Sequence, residues 1–440
     1  KFNKYKHRQS DWITTDIIRS IKYRDKLYRK LKETNINNKK YECYKINLKT
    51  YSAILNKSIR NAKKQYYSKQ FDLYKNDAKK TWDVLREIIH RNKKKAEFPT
   101  TFVKNGETIT DKTKIANQFN EFFTGIGPEL ANKIQTKDGK SYKSYLTQKH
   151  SSNFIFNPIS SEEVSKIILK LKRKSSSGHD TISSKLLNYI SPIIVKPLTT
   201  IINQSLQTGI FPSSLKLAKV LPFYKKGDNQ LFNNYRPISL LPVISKVFER
   251  AVFNQLYDYC TKNNIFYNSQ YGFRKAHSTE LACLEYIDKV LHDLDKKHMP
   301  ISIFIDLSKA FDTLDHKIML HKLSHYGVSQ NALKWFDSYL YNRYQYVEYD
   351  SHKSEKLPLT TGVPQGSILG PLLFIIYMND IHTASSTFDS VLFADDTTLS
   401  SHLSLFNTNF KKNPEISHGI NTELEKVYAW LSANKLSLNI

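Results

Sequence analysis

An α+β fold is the class this sequence predicts, and three observations lead there. Apolar residues recur at helical spacing through most of the 440 residues. Short strand-like runs such as Ala218–Tyr224 and Ile301–Asp306 interrupt them. The two kinds of segment alternate without the even spacing of βαβ units, which argues against a doubly wound sheet.

The elements follow in order. Ile13, Ile17, Ile18 and Ile21, then Leu27, Tyr28 and Leu31, and later Trp82, Leu85, Ile88 and Ile89 trace long amphipathic helices in the first hundred residues. Residues 92–150 read as a Lys-rich connector carrying a strand-like Thr101-Phe102-Val103 and a helix around Ala116–Phe123. Ser160 followed by Glu163 spells a capping box, opening a helix with Val164, Ile167, Ile168 and Leu171 on one face. A turn at Ser177-Gly178-His179-Asp180 closes it. Helices are then expected from about Pro192 to Ser205, over 243–260, 278–295, 316–325 and 329–342, with His316 capping the fourth of these five. Strands are expected at Ala218–Tyr224, Ile301–Asp306, Tyr344–Tyr349 and Lys356–Thr361, a helix after Gly366, and a hairpin around Asp395-Asp396. No internal repeat is visible.

Composition excludes several classes. Apolar residues make up 40% and aromatics 12%, enough for a sizeable core and too many for a charge-solubilised disordered chain. The longest near-apolar run, Ile368–Met378, is about half of what a bilayer requires. Cys43, Cys260 and Cys283 are far apart, so neither a disulfide framework nor a zinc module is expected. The fourteen histidines show no metal-ligand spacing and receive no role. Charge is uneven: residues 1–100 hold 28 Lys/Arg against 10 Asp/Glu, a net +18 of the chain's +27. Tyr41, Tyr44, Tyr51, Tyr66 and Tyr67 lie among these lysines. Cations that release counterions from phosphates, interleaved with rings that stack on bases, favour a polyanion partner over a membrane surface. The basic start without a leader, and an end inside the alternating Leu436-Ser437-Leu438-Asn439-Ile440, are read as two cuts in a longer chain.

Three carboxylates stand out. The run Ser302-Ile303-Phe304-Ile305 ends in Asp306, and Asp395-Asp396 sits between the apolar runs Val391-Leu392-Phe393 and Thr397-Thr398-Leu399. Each has a plain alternative, since Asp is favoured at strand ends and turns. Together they match the needs of Mg²⁺, which takes a few carboxylate oxygens and leaves the rest of its octahedron to water and phosphate. Two such ions about 4 Å apart support an in-line phosphoryl displacement.

Five segments then appear in order: Tyr235-Arg236-Pro237-Ile238-Ser239, Gln270-Tyr271-Gly272-Phe273-Arg274, the Asp306 strand, Gly362-Val363-Pro364-Gln365-Gly366-Ser367 and Phe393-Ala394-Asp395-Asp396. Together they resemble the reverse transcriptase of non-LTR (LINE-type) retrotransposons, most closely the jockey-related group, over roughly residues 150–440. The resemblance implies a right-hand polymerase fold, with fingers and an antiparallel palm sheet, preceded by a basic helical region. It divides the chain into a connector over 1–100, a linker and start of the polymerase region over 101–180, and fingers and palm over 181–440.

It also implies roles. Asp306 and Asp395 would be the main ligands of two Mg²⁺ ions, with Mn²⁺ as a substitute, Asp396 a looser ligand, and Leu307 a carbonyl donor. Phe311 resembles the side chain that packs beneath the sugar and leaves no room for a 2′-hydroxyl; its plain alternative is a core aromatic. One of Lys225 and Lys226, with Arg236, would hold the triphosphate. Gln365 and Gly366 would contact the nucleotide and templating base, while Gln270, Gly272 and Arg274 resemble a template-contacting segment, Arg274 having a simple surface role as its alternative. The helix after Gly366 is expected to be core.

The partners implied are an RNA template, a DNA primer or nicked target, and dNTPs, with the ribonucleoprotein in nucleus and cytoplasm and no membrane contact. Asn434-Lys435-Leu436-Ser437-Leu438-Asn439 resembles the entrance to a motif whose Lys protonates pyrophosphate. Without that Lys, a thumb and an upstream endonuclease, 440 residues alone are expected to be weakly active or inactive. The alternatives are a catalytically dead nucleic-acid-binding remnant and an RNA-dependent RNA polymerase.

Overall fold

In a computed structural model, the structure describes residues 11–75, 77–89, 99–134, 140–146, 152–404 and 414–439. The basic residues at 1–10, Lys93–Lys95 and Ile440 lie outside them. Chain contacts separate two compact units, Lys1–Glu97 and Phe98–Ile440.

In the first unit, helices α1 (Thr15–Glu33), α2 (Lys39–Tyr74) and α3 (Ala78–Ile88) follow the apolar spacing. Thr14, Asn38 and Asp77 cap their N-termini through side-chain oxygens. Among the described residues of this unit, Ile17, Leu27, Leu55 and Val84 are the buried ones. All five tyrosines of the basic stretch are half-buried. Tyr51 packs on Tyr23 with ring centres 5.0 Å apart, and Lys63 sits 4.5 Å above the ring of Trp12. Part of the ring surface expected to stack on bases is thus taken up within this unit.

The second unit begins with a hairpin of β1 (Phe102–Lys104) and β2 (Glu107–Ile109), turned by Asn105 and Gly106, both at positive φ. Helix α4 (Lys112–Lys133) follows. The Lys-rich stretch is therefore folded over Phe102–Lys133. Its anchor is an aromatic cluster of Phe102, Phe119, Phe123, Phe232, Tyr235 and Tyr349.

Helix α5 (Ser161–Lys170) opens with the full capping box: Ser160 accepts from the Glu163 amide and Glu163 from the Ser160 amide. Helix α6 (Ser184–Thr208) starts eight residues before the expected Pro192, because Ser183 caps it and both Pro192 and Pro197 are accommodated inside. The Asn188 carbonyl, which loses its helical partner to Pro192, accepts instead from the Ser191 hydroxyl at 2.9 Å.

Strands β3 (Leu217–Tyr224) and β4 (Tyr235–Leu240) lead to helices α7 (Val243–Lys262) and α8 (Thr279–Asp295). Strand β5 (His298–Ile305) begins three residues earlier than its apolar run indicates, since ladder pairing rather than side-chain character extends it. Short α9 (Ala310–Thr313), α10 (His316–His325) and α11 (Gln330–Leu340) come next. The cap of α10 is Asp315, whose carboxylate accepts from the Ile318 amide; His316 is instead buried with Nε2 2.8 Å from the Gly362 carbonyl.

Strands β6 (Arg343–Tyr349), β7 (His352–Lys353) and β8 (Leu357–Leu359) precede the buried helix α12 (Leu369–Tyr377). Strands β9 (Asp389–Phe393) and β10 (Asp396–Ser404) and helix α13 (Pro414–Ala433) complete the order.

Two sheets position the site. Strands β4, β3, β6 and β7 form one in that order, with β8 also on β6; only the β3–β6 pair is parallel. The other is antiparallel, in the order β5-β10-β9. This is an α+β arrangement, its larger core formed by α5–α7 and α10–α12. Buried Glu249 on α7 caps α12 in trans, accepting from the Ile368 amide at 2.5 Å and the Leu369 amide at 3.3 Å. Among the described residues no helix is long and apolar enough to cross a membrane.

Candidate active site

Strand β5 ends by presenting Asp306, and the β9–β10 turn presents Asp395 beside it in one cleft of about 530 Å³. Phe393 pairs with Asp396, leaving Ala394 and Asp395 as a two-residue turn. Ala394 sits at φ +60°, a region that disfavours any residue with a Cβ. Something must hold it there. The Gln270 carbonyl oxygen Oε1 accepts from the amides of both Gly272 and Ala394, at 2.8 and 3.1 Å. The chain from Ser269 to Gly272 is strapped along β9 by bonds from Leu392 N to Ser269 O and from Tyr271 N to Leu392 O. Gly272 lies so close that a Cβ on it would stand 2.1 Å from the Ala394 nitrogen.

These contacts redefine the Gln270–Arg274 segment. Gln270 is 1% exposed and turned into the hairpin rather than outward toward a template. Arg274 donates to the carbonyls of Tyr267 and Gln270 and stacks on Phe266, holding its own loop. The outward side chain of the segment is Phe273.

Electrostatics divide the cleft. At the acidic end, burial and then the charges of Asp396 and Asp306 push the Asp395 carboxyl above its ordinary range, with Arg236 acting in the opposite sense. Asp396 is exposed on the first residue of β10 and does not line the cleft. Asn439 donates its side-chain amide to Asp306 Oδ2 at 2.7 Å and its backbone N–H to the Asp306 carbonyl. Leu307 is buried and pairs with Leu438. The basic end carries Lys225, Lys226, Arg236 and Lys309. Both Lys225 and Lys226 line the cleft, so the geometry does not choose between them. Lys309 Nζ donates to the Asn233 and Tyr235 carbonyls, and burial lowers its pKa.

Phe311 forms part of the wall with one face stacked on Phe374, ring centres 4.7 Å apart. Gln365 lines the cleft as well. Its Nε2 donates to both oxygens of half-buried Asp312 at 3.0 Å, which leaves Oε1 as the amide's acceptor. The Gln365 carbonyl accepts from Ser239 on β4, and Gly366, at φ +124°, passes so close to Ser239 that a Cβ would lie 2.6 Å from its carbonyl.

Sequence reasoning missed Lys309, Asp312 and Asn439. Asp312 carried a signal, a carboxylate directly after Phe311 on an apolar face; for Asn439 there was none, since its neighbour Asp306 is 133 residues away. A larger cleft of about 640 Å³ near Tyr267 and Asn379 is lined by neither Asp306 nor Asp395; its own carboxylate, Asp380, is paired with buried Lys322.

Residues 224–440 match the family described as "Reverse transcriptase (RNA-dependent DNA polymerase)". Among curated relatives, the chain is 28% identical over 360 residues to the "RNA-directed DNA polymerase from mobile element jockey" of Drosophila melanogaster, covering 78% of this chain and 38% of that protein. It is 30% identical over 306 residues to the "Probable RNA-directed DNA polymerase from transposon X-element" of the same fly, covering 68% and 33%. It is 33% identical over 231 residues to the "Probable RNA-directed DNA polymerase from transposon BS", covering 51% and 25%. The chain spans at most about two fifths of the length of these relatives.

Proposed function

Residues 224–440 belong to the reverse transcriptase family, and from that premise we propose that the chain is the RNA-directed DNA polymerase of a non-LTR, jockey-like retrotransposon. In this reading the β5-β10-β9 sheet is the palm and the β4-β3-β6 sheet the fingers. The basic helices of residues 1–100 form a nucleic-acid-binding connector, 101–180 lead into the polymerase, and the reaction is target-primed addition of dNTPs to a DNA 3′ end.

The observation that carries the proposal is the bipolar cleft: Asp306 and Asp395 at one end, four cations at the other. A deoxynucleoside triphosphate bound to hard cations has that charge pattern. Polymerases of this family use divalent metals, and the donor set here, carboxylate oxygens with Asp395 raised by burial and then by its acidic neighbours, suits Mg²⁺. Asp306 and Asp395 would hold two ions, with Asp396 as an outer ligand. When bound, the ions activate the primer 3′-hydroxyl and offset charge on the departing pyrophosphate. Lys225 or Lys226, Arg236 and Lys309 bind the phosphates and stabilise charge there. Phe311, fixed against Phe374, closes the space beneath the sugar.

Nucleotide choice tests the proposal. On an RNA template with a DNA primer, the wild type incorporates dNTPs and excludes rNTPs, while Phe311→Ala admits rNTPs at least tenfold better. Preferential rNTP incorporation by the wild type contradicts the reading and favours an RNA polymerase.

Asp312 makes the second prediction, as the residue that orients Gln365. Burial raises its pKa from 3.8 to about 6. Above that pH the carboxylate only accepts, so Gln365 Oε1 stays turned to the nucleotide; below it a carboxyl proton competes for Oε1. The kcat/KM for dNTP therefore falls as pH drops through about 6. Asp312→Asn removes that limb and raises KM about tenfold, a loss of about 1.4 kcal/mol. Because the folded-state pKa is raised, the stabilising contribution is present below pH 4 and lost as pH rises through 6. Asp312→Asn is therefore more stable than wild type at pH 7.5. A wild-type profile flat between pH 5 and 8 contradicts this role.

A further inference from the structure

The far end of the β5–β10 ladder gathers Asp293, His298 and His402, whose ligand atoms lie within 4.8 Å of one another. We propose that these three residues form a second metal site, distinct from the carboxylate cleft, for a borderline transition-metal ion of the Zn²⁺ class. The register explains their meeting. His402 pairs with Pro300 and His298 with Ser404, so the histidines are diagonal neighbours on one face of the sheet. Their rings stack 4.4 Å apart with planes 3° from parallel. Asp293, in the last turn of α8, brings Oδ1 to 3.5 Å from His402 Nδ1.

A stacked surface pair with an ion-pair partner is the plain alternative. Against it, His298 Nδ1 is buried with no hydrogen-bond partner, a cost that a bound ion would remove. The donor set also points to a class of ion. Two imidazoles and one carboxylate suit Zn²⁺, Co²⁺ or Ni²⁺ rather than Mg²⁺, and three protein ligands leave one tetrahedral position to water. Ligands of a tetrahedral zinc stand roughly 3.4 Å apart, so the present spread closes by side-chain adjustment. Lys296 and Lys297 are the nearby opposing charges, both exposed in the turn before β5. An ion here would tie α8 to the ends of the two strands whose opposite ends carry Asp306 and Asp396.

The test uses the whole chain without a histidine tag, titrated with Zn²⁺ alone in millimolar Mg²⁺. Wild type binds one equivalent, and His402→Ala and His298→Gln each weaken that binding at least tenfold; Asp306→Asn with Asp395→Asn leaves it intact. With Co²⁺ in place of Zn²⁺, wild type shows visible absorption bands of a low-coordinate site that His402→Ala lacks. His402 is exposed, so its variant keeps the fold, checked by an unchanged melting temperature without metal. Zinc binding that survives both histidine substitutions, that disappears with the Asp306 and Asp395 substitutions, or that is absent from wild type overturns the proposal.

Discussion

Asp306→Ala and Asp395→Ala each lower primer extension by about 10³-fold or more, and the double variant is no slower than the slower single one. Both carboxylates face one cleft and would hold the same ions, so removing either dismantles a shared electrostatic arrangement. Stability moves the other way at Asp395. Its carboxyl is raised by burial and by the charges of Asp396 and Asp306, so ionisation at neutral pH costs the folded state. Asp395→Asn therefore melts no lower than wild type at pH 7.5 while losing activity. That split separates a residue working on substrate from one holding the fold. Additive losses in the double variant, or a lowered melting temperature with activity retained, contradict the assignment.

Gly272→Val is expected to fold and fail. A Cβ at Gly272 meets the Ala394 nitrogen at 2.1 Å and the Ala394 Cα at 2.8 Å, so the turn must move. Overpacking of this kind costs about 1–3 kcal/mol. The functional loss is larger in proportion. Ala394 is held at φ +60° by Gln270, and Asp395 follows it directly, so a shift of about 1 Å misplaces the carboxylate and lowers the rate about 10²-fold. Gly125, inside α4 with open space around it, is the control: Gly125→Ala gains up to about 1 kcal/mol and leaves activity unchanged. Melting curves and extension rates on both variants check the pair. Normal kinetics for Gly272→Val would mean that the strap does not hold the turn.

The sequence makes different parts of this site visible for different physical reasons. Asp306 and Asp395 are legible because a carboxylate ending an apolar strand, and another in a turn between strands, leave local marks. The helices of the first hundred residues are legible from apolar spacing alone. Gln270 is not: a polar residue between Ser269 and Tyr271 looks outward-facing, and only the ladder places its amide beneath Ala394. The start of α6 is hidden by Pro192, which reads as a first helical residue although Ser183 and the Ser191 hydroxyl let the helix begin earlier. His298 and His402 are 104 positions apart, and strand register is a tertiary property with no local signature.

The most direct test of the central claim is extension of oligo(dT) on poly(rA) with dTTP and Mg²⁺. It is run on this chain and on its Asp395→Ala variant. RNA-templated elongation that requires Mg²⁺ and is lost in the Asp395→Ala protein is the predicted result. Equal elongation by the Asp395→Ala protein would contradict the claim that this cleft is a reverse transcriptase active site.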